Sequence, residues 1–135
     1  MVTDTGLVER WRAVLTCYNE VAGDLERALH DAHGLTMSEF ETLDRLISAD
    51  CEKRRMQDLA ATMYLSQSAL SRLIGRLELT GLVHRAMCAN DRRGIYAHIT
   101  DEGQARWEAA RPTHLAVLAD QLPANAPAGT APPAA

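Results

Sequence analysis

Ser66-Gln-Ser-Ala-Leu-Ser-Arg-Leu-Ile-Gly-Arg-Leu-Glu-Leu-Thr-Gly81 decides how the chain folds. Leu70, Leu73, Ile74 and Leu77 recur at i, i+3, i+4 and i+7, the spacing of one buried helix stripe. Ser66 can cap this helix, because its hydroxyl accepts an orphan backbone N–H of the first turn. Gly81 can end it, because glycine enters the left-handed conformation without a Cβ clash. The opposite face carries Gln67, Ser68, Ser71, Arg72, Gly75 and Arg76. It is short, polar and basic, with its hydrogen-bonding groups crowded into the first two turns. A helix that reads base edges in a major groove needs such a face: donors near its start, small neighbours for close approach, and arginine for guanine edges or phosphates.

The flanking segments extend this reading. Arg55 to Met63 forms a short helix with Met56, Leu59, Ala60 and Met63 inward, and Tyr64-Leu65 turns into the Ser66 helix. Two helices joined by a tight turn, the second with a polar leading edge, make a helix-turn-helix, although the turn has no glycine. Downstream, Leu82 to Cys88 and Ile95 to Thr100 read as short strands, with Ile95, Ala97 and Ile99 alternating with Tyr96 and His98. Between them, Ala89-Asn-Asp-Arg-Arg-Gly94 is a hairpin tip that presents two arginines. An arginine-tipped ribbon beside a reading helix is a wing. Its arginine can enter a minor groove, where narrow A·T tracts focus negative potential.

Further out, residues 7 to about 32 keep a 3.6-residue apolar period through Leu7, Trp11, Val14, Leu15, Tyr18, Ala22, Leu25 and Leu29, and Gly34 stops them. That helix is about 39 Å long at 1.5 Å per residue, too long for so small a core to cover, so a second subunit is expected on part of it. Thr36-Met-Ser-Glu39 is a capping box opening a helix to about Ser48 that buries Met37, Phe40, Leu43 and Ile47. Thr100 caps a last helix running toward Ala119, and Pro112 should kink it. The stretch 123–135 holds four of the five prolines and no charge, and reads as a disordered tail after a single domain of residues 1–122.

Charge is segregated. The chain of 135 residues has a net charge of −4, but residues 1–51 carry −6, residues 52–99 carry +4 and residues 100–135 carry −2. A local basic surface on an otherwise acidic chain suits phosphate binding. No apolar run is long enough to span a membrane, and no secretory signal pattern opens the chain. Three widely spaced cysteines form neither a disulfide framework nor a zinc pattern, which suits a reducing cytoplasm.

Taken in order, several pieces resemble the MarR family of bacterial transcription regulators. They are Gly-Leu-Thr-Met-Ser-Glu-Phe at 34–40, Asp-Leu-Ala at 58–60 and Gln-Ser-Ala-Leu-Ser-Arg-Leu-Ile-Gly-Arg-Leu-Glu at 67–78. Gly-Leu-Val-His-Arg at 81–85, Asp-Arg-Arg-Gly at 91–94 and Ile-Thr-Asp-Glu-Gly at 99–103 follow. The resemblance covers roughly residues 7 to 120. It implies a mainly α fold with a small β-wing: a winged helix-turn-helix lobe at about 36–100 between dimerisation helices at about 7–32 and 101–120. It further implies a homodimer on a pseudo-palindromic double-stranded DNA operator, acting as a repressor released by a small aromatic or acidic ligand.

Carried over by position, Ser66, Gln67, Ser68, Ser71 and Arg72 fall on the DNA-facing part of the recognition helix. Arg93 falls on the minor-groove arginine, with Asp91 bracing the wing and Arg92 on phosphate. Arg76 touches phosphate or pairs with an acidic neighbour. One departure stands out: from Leu122 the chain passes into a proline-alanine stretch, so the family's further long C-terminal helix is expected to be missing or very short.

Other chemistry is sparse. Cys17 reads as a buried, inert thiol and Cys51 as an exposed one, against the alternative of a redox-responsive regulator. His30, Asp31 and His33 bunch at a helix end where the dipole favours histidine, so no metal and no cofactor is expected. Trp11 and Arg12 are candidates for lining a ligand pocket, although Trp11 also suits a core position. The sequence contains no GxSxG, P-loop, GxGxxG or HExxH, and no enzyme is expected. A winged helix used only for protein contacts would show large apolar anchors in place of the small polar face at 66–72.

Overall fold

The computed structural model describes residues 2–48, 55–88 and 91–123. The elements are α1 (Asp4–His33), α2 (Met37–Ser48), α3 (Met56–Thr62), α4 (Gln67–Leu79), β1 (Val83–Cys88), β2 (Asp91–Ile99) and α5 (Asp101–Gln121). This is the expected mainly helical fold with a two-stranded ribbon. The proposed tail at 123–135 lies, beyond residue 123, outside the described residues.

Each helix end has a chemical cause. Thr36 and Glu39 form the reciprocal capping box: the Glu39 N–H donates to Thr36 Oγ1 at 3.0 Å and the Thr36 N–H to Glu39 Oε1 at 2.8 Å. Ser66 Oγ accepts the Ala69 N–H at 3.1 Å, and Thr100 Oγ1 accepts the Gly103 N–H at 3.0 Å. Gly81 takes φ +77° after α4, with the Leu82 N–H donating to the Leu77 carbonyl at 2.9 Å. The turn after α3 makes the same kind of bond, Leu65 N–H to Ala60 O at 3.0 Å, but Tyr64 occupies its left-handed position at φ +57°. A bulky side chain there is strained, on the order of 1 kcal/mol or more.

The core lies where α1's second half, α2, α4 and the ribbon base converge. Leu70, Leu73, Ile74 and Leu77 are all buried, as their spacing predicts. In α2 the buried set is Phe40, Thr42, Leu43 and Leu46, whereas the predicted Met37 and Ile47 are half-buried. Thr42 is satisfied by donating to the Ser38 carbonyl at 2.8 Å. The first half of α1 is different: Leu7, Trp11, Val14 and Tyr18 are 50–62% exposed.

The ribbon corrects the sequence reading in two ways. Residues 91–94 belong to β2 rather than to the tip, and a register shift between Ala86 and Cys88 leads to the Cys88–Asp91 pair. Inside β2, Tyr96 and Ala97 are buried while Ile95 is 56% exposed. An isolated antiparallel bridge between Arg55 and Tyr96 lays a third, one-residue stub beside β2. Successive residues are buried there, so a simple alternation misplaces Ile95.

Helix α5 continues through Pro112, whose ring is exposed. Its start is set by Gly103: a Cβ there would stand 2.1 Å from the Leu82 carbonyl oxygen and 2.8 Å from Ile99 Cγ1. Gly103→Ala is therefore expected to destabilise the fold by about 1–3 kcal/mol. Gly23→Ala, where the nearest atom would be Arg27 Nη1 at 3.7 Å, should stabilise it by about 0.5–1 kcal/mol. Thermal melting of the two variants checks this; a melting temperature unchanged or raised in Gly103→Ala would mean that the Gly103 contact carries no weight.

Candidate nucleic-acid interface

The polar leading face of α4 stands free of the core. Ser66, Gln67, Ser68, Arg72 and Arg76 are exposed and Ser71 is half-buried. Ser66 Oγ lies 3.2 Å from Ser68 Oγ, so the cap and the first polar turn share a hydrogen bond. Among the described residues no carboxylate pairs with Arg72 or Arg76, which leaves both guanidinium groups available to an anion. The backbone of Asp91, Arg92 and Arg93 runs in β2, but the roles assigned to these three rest on side chains outside the described residues.

Two arginines that the sequence reading left off the surface also reach it. Arg85, on β1, turns toward α4: its Nε lies 3.0 Å from Glu78 Oε1 and its Nη2 donates to the Ser71 carbonyl at 2.6 Å. Arg55 lies across the ribbon, where a Cβ on Gly94 would meet its Nε at 2.7 Å. Glycine at 94 thus makes room for a guanidinium rather than for a turn. The only sequence signal for either residue was its share of the +4 charge of residues 52–99.

On the other side of the core, α5 is tied to α1 and α2. Trp107 Nε1 donates to Asp44 Oδ1 at 2.9 Å, Arg106 Nη1 to the His33 carbonyl at 3.1 Å, and His33 Nε2 lies 2.8 Å from Thr113 Oγ1. His114 stacks on Phe40 with ring centroids 4.3 Å apart. Burial lowers the His114 pKa below its ordinary 6.5, opposed in part by Glu41 and Asp44. His33 and His114 therefore have separate partners, and no group of three or more His, Cys, Asp or Glu gathers for a metal among the described residues. Cys17 is half-buried against the core; Cys51 lies outside the described residues.

A crevice of about 440 Å³ opens at this junction, with Tyr18, Met37, Arg45, Met63, Tyr64 and His114 among its walls. Trp11 and Arg12, the sequence candidates for a pocket, are not among its lining residues. Trp11 is 60% exposed rather than packed in the core, and Arg12 is also exposed. They lie about two turns before Tyr18 on α1. No helix among the described residues is long and apolar enough to cross a membrane.

With a helix-turn-helix of α3 and α4, whose second helix presents a polar face, followed by a two-stranded ribbon, the fold is a winged helix-turn-helix of the DNA-binding kind. The MarR family model matches residues 33–94. AbsC, a MarR family transcriptional regulator from Streptomyces coelicolor, is 34% identical, with 90% of this chain and 81% of that one covered at a TM-score of 0.79. Sco3205, a MarR family regulator from Streptomyces coelicolor solved in complex with DNA, is 27% identical over 90% of this chain and 76% of that one (TM-score 0.78). CouR from Rhodococcus jostii RHA1, solved bound to p-coumaroyl-CoA, is 26% identical over 90% and 81% (TM-score 0.70). The chain belongs to the MarR family of DNA-binding transcriptional regulators, a family of regulators rather than enzymes. It spans 61% of the length of the curated relatives it matches.

The half-buried imidazole of His114 makes stability depend on pH. Its lowered folded-state pKa means that the unfolded chain binds the extra proton first, so stability is full above about 6.5 and falls as pH drops through that value toward the lowered pKa. Denaturant unfolding from pH 7.5 to 5 should show this loss, and His114→Phe should remove that share of it. An unchanged pH profile in the variant would exclude His114 as its source.

Proposed function

We propose that the protein is a repressor that binds a pseudo-palindromic operator as a homodimer and is released by a small aromatic or acidic ligand. The observation that carries the DNA reading is the exposed α4 face, Ser66 to Arg76, set beside a ribbon that carries Asp91, Arg92 and Arg93. A helix with donors in its first turns fits a major groove, and the adjoining ribbon then falls over the neighbouring minor groove. Arg72 reads a base edge, Arg76 and Arg92 meet phosphate, and Arg93 enters the minor groove. Repression needs no further chemistry than occupancy of a site that polymerase must use, in the cytoplasm.

The uncovered apolar stripe of α1, with Leu115 of α5 also 48% exposed, supports a homodimer. One wing-and-helix unit gives a half-site, and two-fold symmetry sets half-sites about 34 Å apart. The junction crevice supports a ligand. Tyr18 and Tyr64, 62% and 95% exposed, flank it, and Arg45, paired to Glu41 at 2.9 Å, offers a cation. The relative CouR, bound to p-coumaroyl-CoA, supports an aromatic acid or its thioester as the class to screen. Such a ligand acts only by binding one arrangement of the lobes better than the other.

Fluorescence anisotropy with the duplex upstream of the protein's own gene, against a scrambled duplex, tests the reading. Preference for the upstream duplex by several kcal/mol is expected. Arg93→Ala should weaken binding by about 1–3 kcal/mol, the size of one good groove contact. Arg72→Ala should change which base is preferred at one position; identical specificity would sink its base-reading role.

A further inference from the structure

A helix in the major groove and a ribbon in the next minor groove must straddle one strand of the DNA backbone, since that backbone is the wall between the grooves. The place where it would pass is a crevice of about 400 Å³ between α4 and the ribbon. Its lining includes Arg55, Gln67, Ser71, Arg85 and Gly94. We propose that this crevice is the seat of a backbone phosphodiester, held by Arg85, with Arg55 also in its lining. The inference rests on the DNA-binding reading and adds to it two residues that carry no assigned role.

Three features make the crevice a built site. The Arg85 guanidinium is fixed rather than free, with Nε on Glu78 Oε1 at 3.0 Å and Nη2 on the Ser71 carbonyl at 2.6 Å. These contacts use part of a five-donor fork, and the side chain remains 33% exposed with donors to spare. A fork already ordered loses less freedom on meeting phosphate than a mobile one. Glycine at 75 lies beneath it: a Cβ there would stand 3.7 Å from Arg85 Nη2, and a longer side chain would compete for the same space. Glycine at 94 does the same for Arg55, which would overlap even a methyl group at 2.7 Å from its Nε. Gln67 and Ser71 add neutral polar groups to the same lining. Charge, donors and clearance therefore meet in one crevice with room for a phosphodiester, and Glu78, which is not among its lining residues, holds Arg85's orientation.

The test is a salt series read by anisotropy with both a random-sequence duplex and the upstream duplex. Each phosphate contact adds about 0.9 to the slope of log affinity on log salt. Arg85→Ala is expected to lower that slope by about 0.9 per protomer and to weaken both duplexes by the same factor. Arg85→Lys is expected to restore the slope, because an ammonium meets phosphate as a point charge while it cannot keep the fork to Glu78 and Ser71. Gly94→Ala, which displaces Arg55 and leaves Arg85's contacts alone, is expected to lower the slope by a smaller amount. Circular dichroism and melting verify the fold, and the lysine and alanine-94 variants carry the test if Arg85→Ala unfolds. A slope unchanged in folded Arg85→Ala, or lost specificity at constant slope that lysine fails to rescue, overturns the seat and leaves Arg85 a brace between helix and ribbon. Wild-type protein that binds neither duplex overturns the DNA-binding reading itself, before any variant is made.

Discussion

Everything on the reading side of the molecule depends on the rotation of α4 about its own axis. Four aliphatic side chains set it: Leu70, Leu73, Ile74 and Leu77 are 0–2% exposed. Burial of each is worth about 1.5–3 kcal/mol, so turning the helix by one residue would forfeit several of these together. No hydrogen bond on the polar face could offset that. The face that meets DNA is thus specified by residues that never touch it. Both ends of the stripe are fixed as well, by the Ser66 cap in front and the Gly81 turn behind.

Much of this was legible beforehand because it is local. Capping boxes, left-handed glycines and a 3.6-residue period act within a few residues, and Thr36, Ser66, Thr100 and Gly81 all do what their positions predict. What the sequence concealed depends on distant partners. Ile95 was read as part of an apolar alternation, but the Arg55 bridge brings another piece of chain to the strand and Tyr96 is buried. Gly94 falls at the end of the hairpin-tip pattern, whereas its lack of a side chain serves a guanidinium 39 positions earlier in the chain. The stiff, strained Tyr64 is the converse case: the position demands a left-handed residue, and nothing in the local pattern announces that a tyrosine will take it.

Arg85 and Arg55 illustrate the same limit for the candidate site. A count of charges places a net positive segment at 52–99, but counting cannot say which cations face one recess. Arg85 sits on a strand, and its target carbonyl and carboxylate belong to the preceding helix. The pairing appears only once the ribbon folds back over α4. Acidic residues elsewhere on the chain give it a negative sum without diluting this surface, since exposed charges more than about 10 Å apart are largely screened at moderate salt.

The distribution of bonds also divides the molecule into two parts. Trp107–Asp44, Arg106–His33, His33–Thr113 and the Phe40–His114 stack all join α1, α2 and α5 to one another. Between α2 and the helix-turn-helix, by contrast, the one polar side-chain contact seen among the described residues is the weak one from Thr42 Oγ1 to Met63 Sδ at 3.6 Å. Apolar packing is non-directional and tolerates small displacements at lower cost than a set of charged or aromatic hydrogen bonds. The junction crevice takes its lining from both parts, Met63 and Tyr64 from the turn before α4 and Met37 and His114 from α2 and α5. A ligand wedged there would press on the turn that precedes α4 while the α1–α2–α5 scaffold resisted it. Three residues of backbone, Met63 to Leu65, are all that separate this crevice from the Ser66 cap of α4.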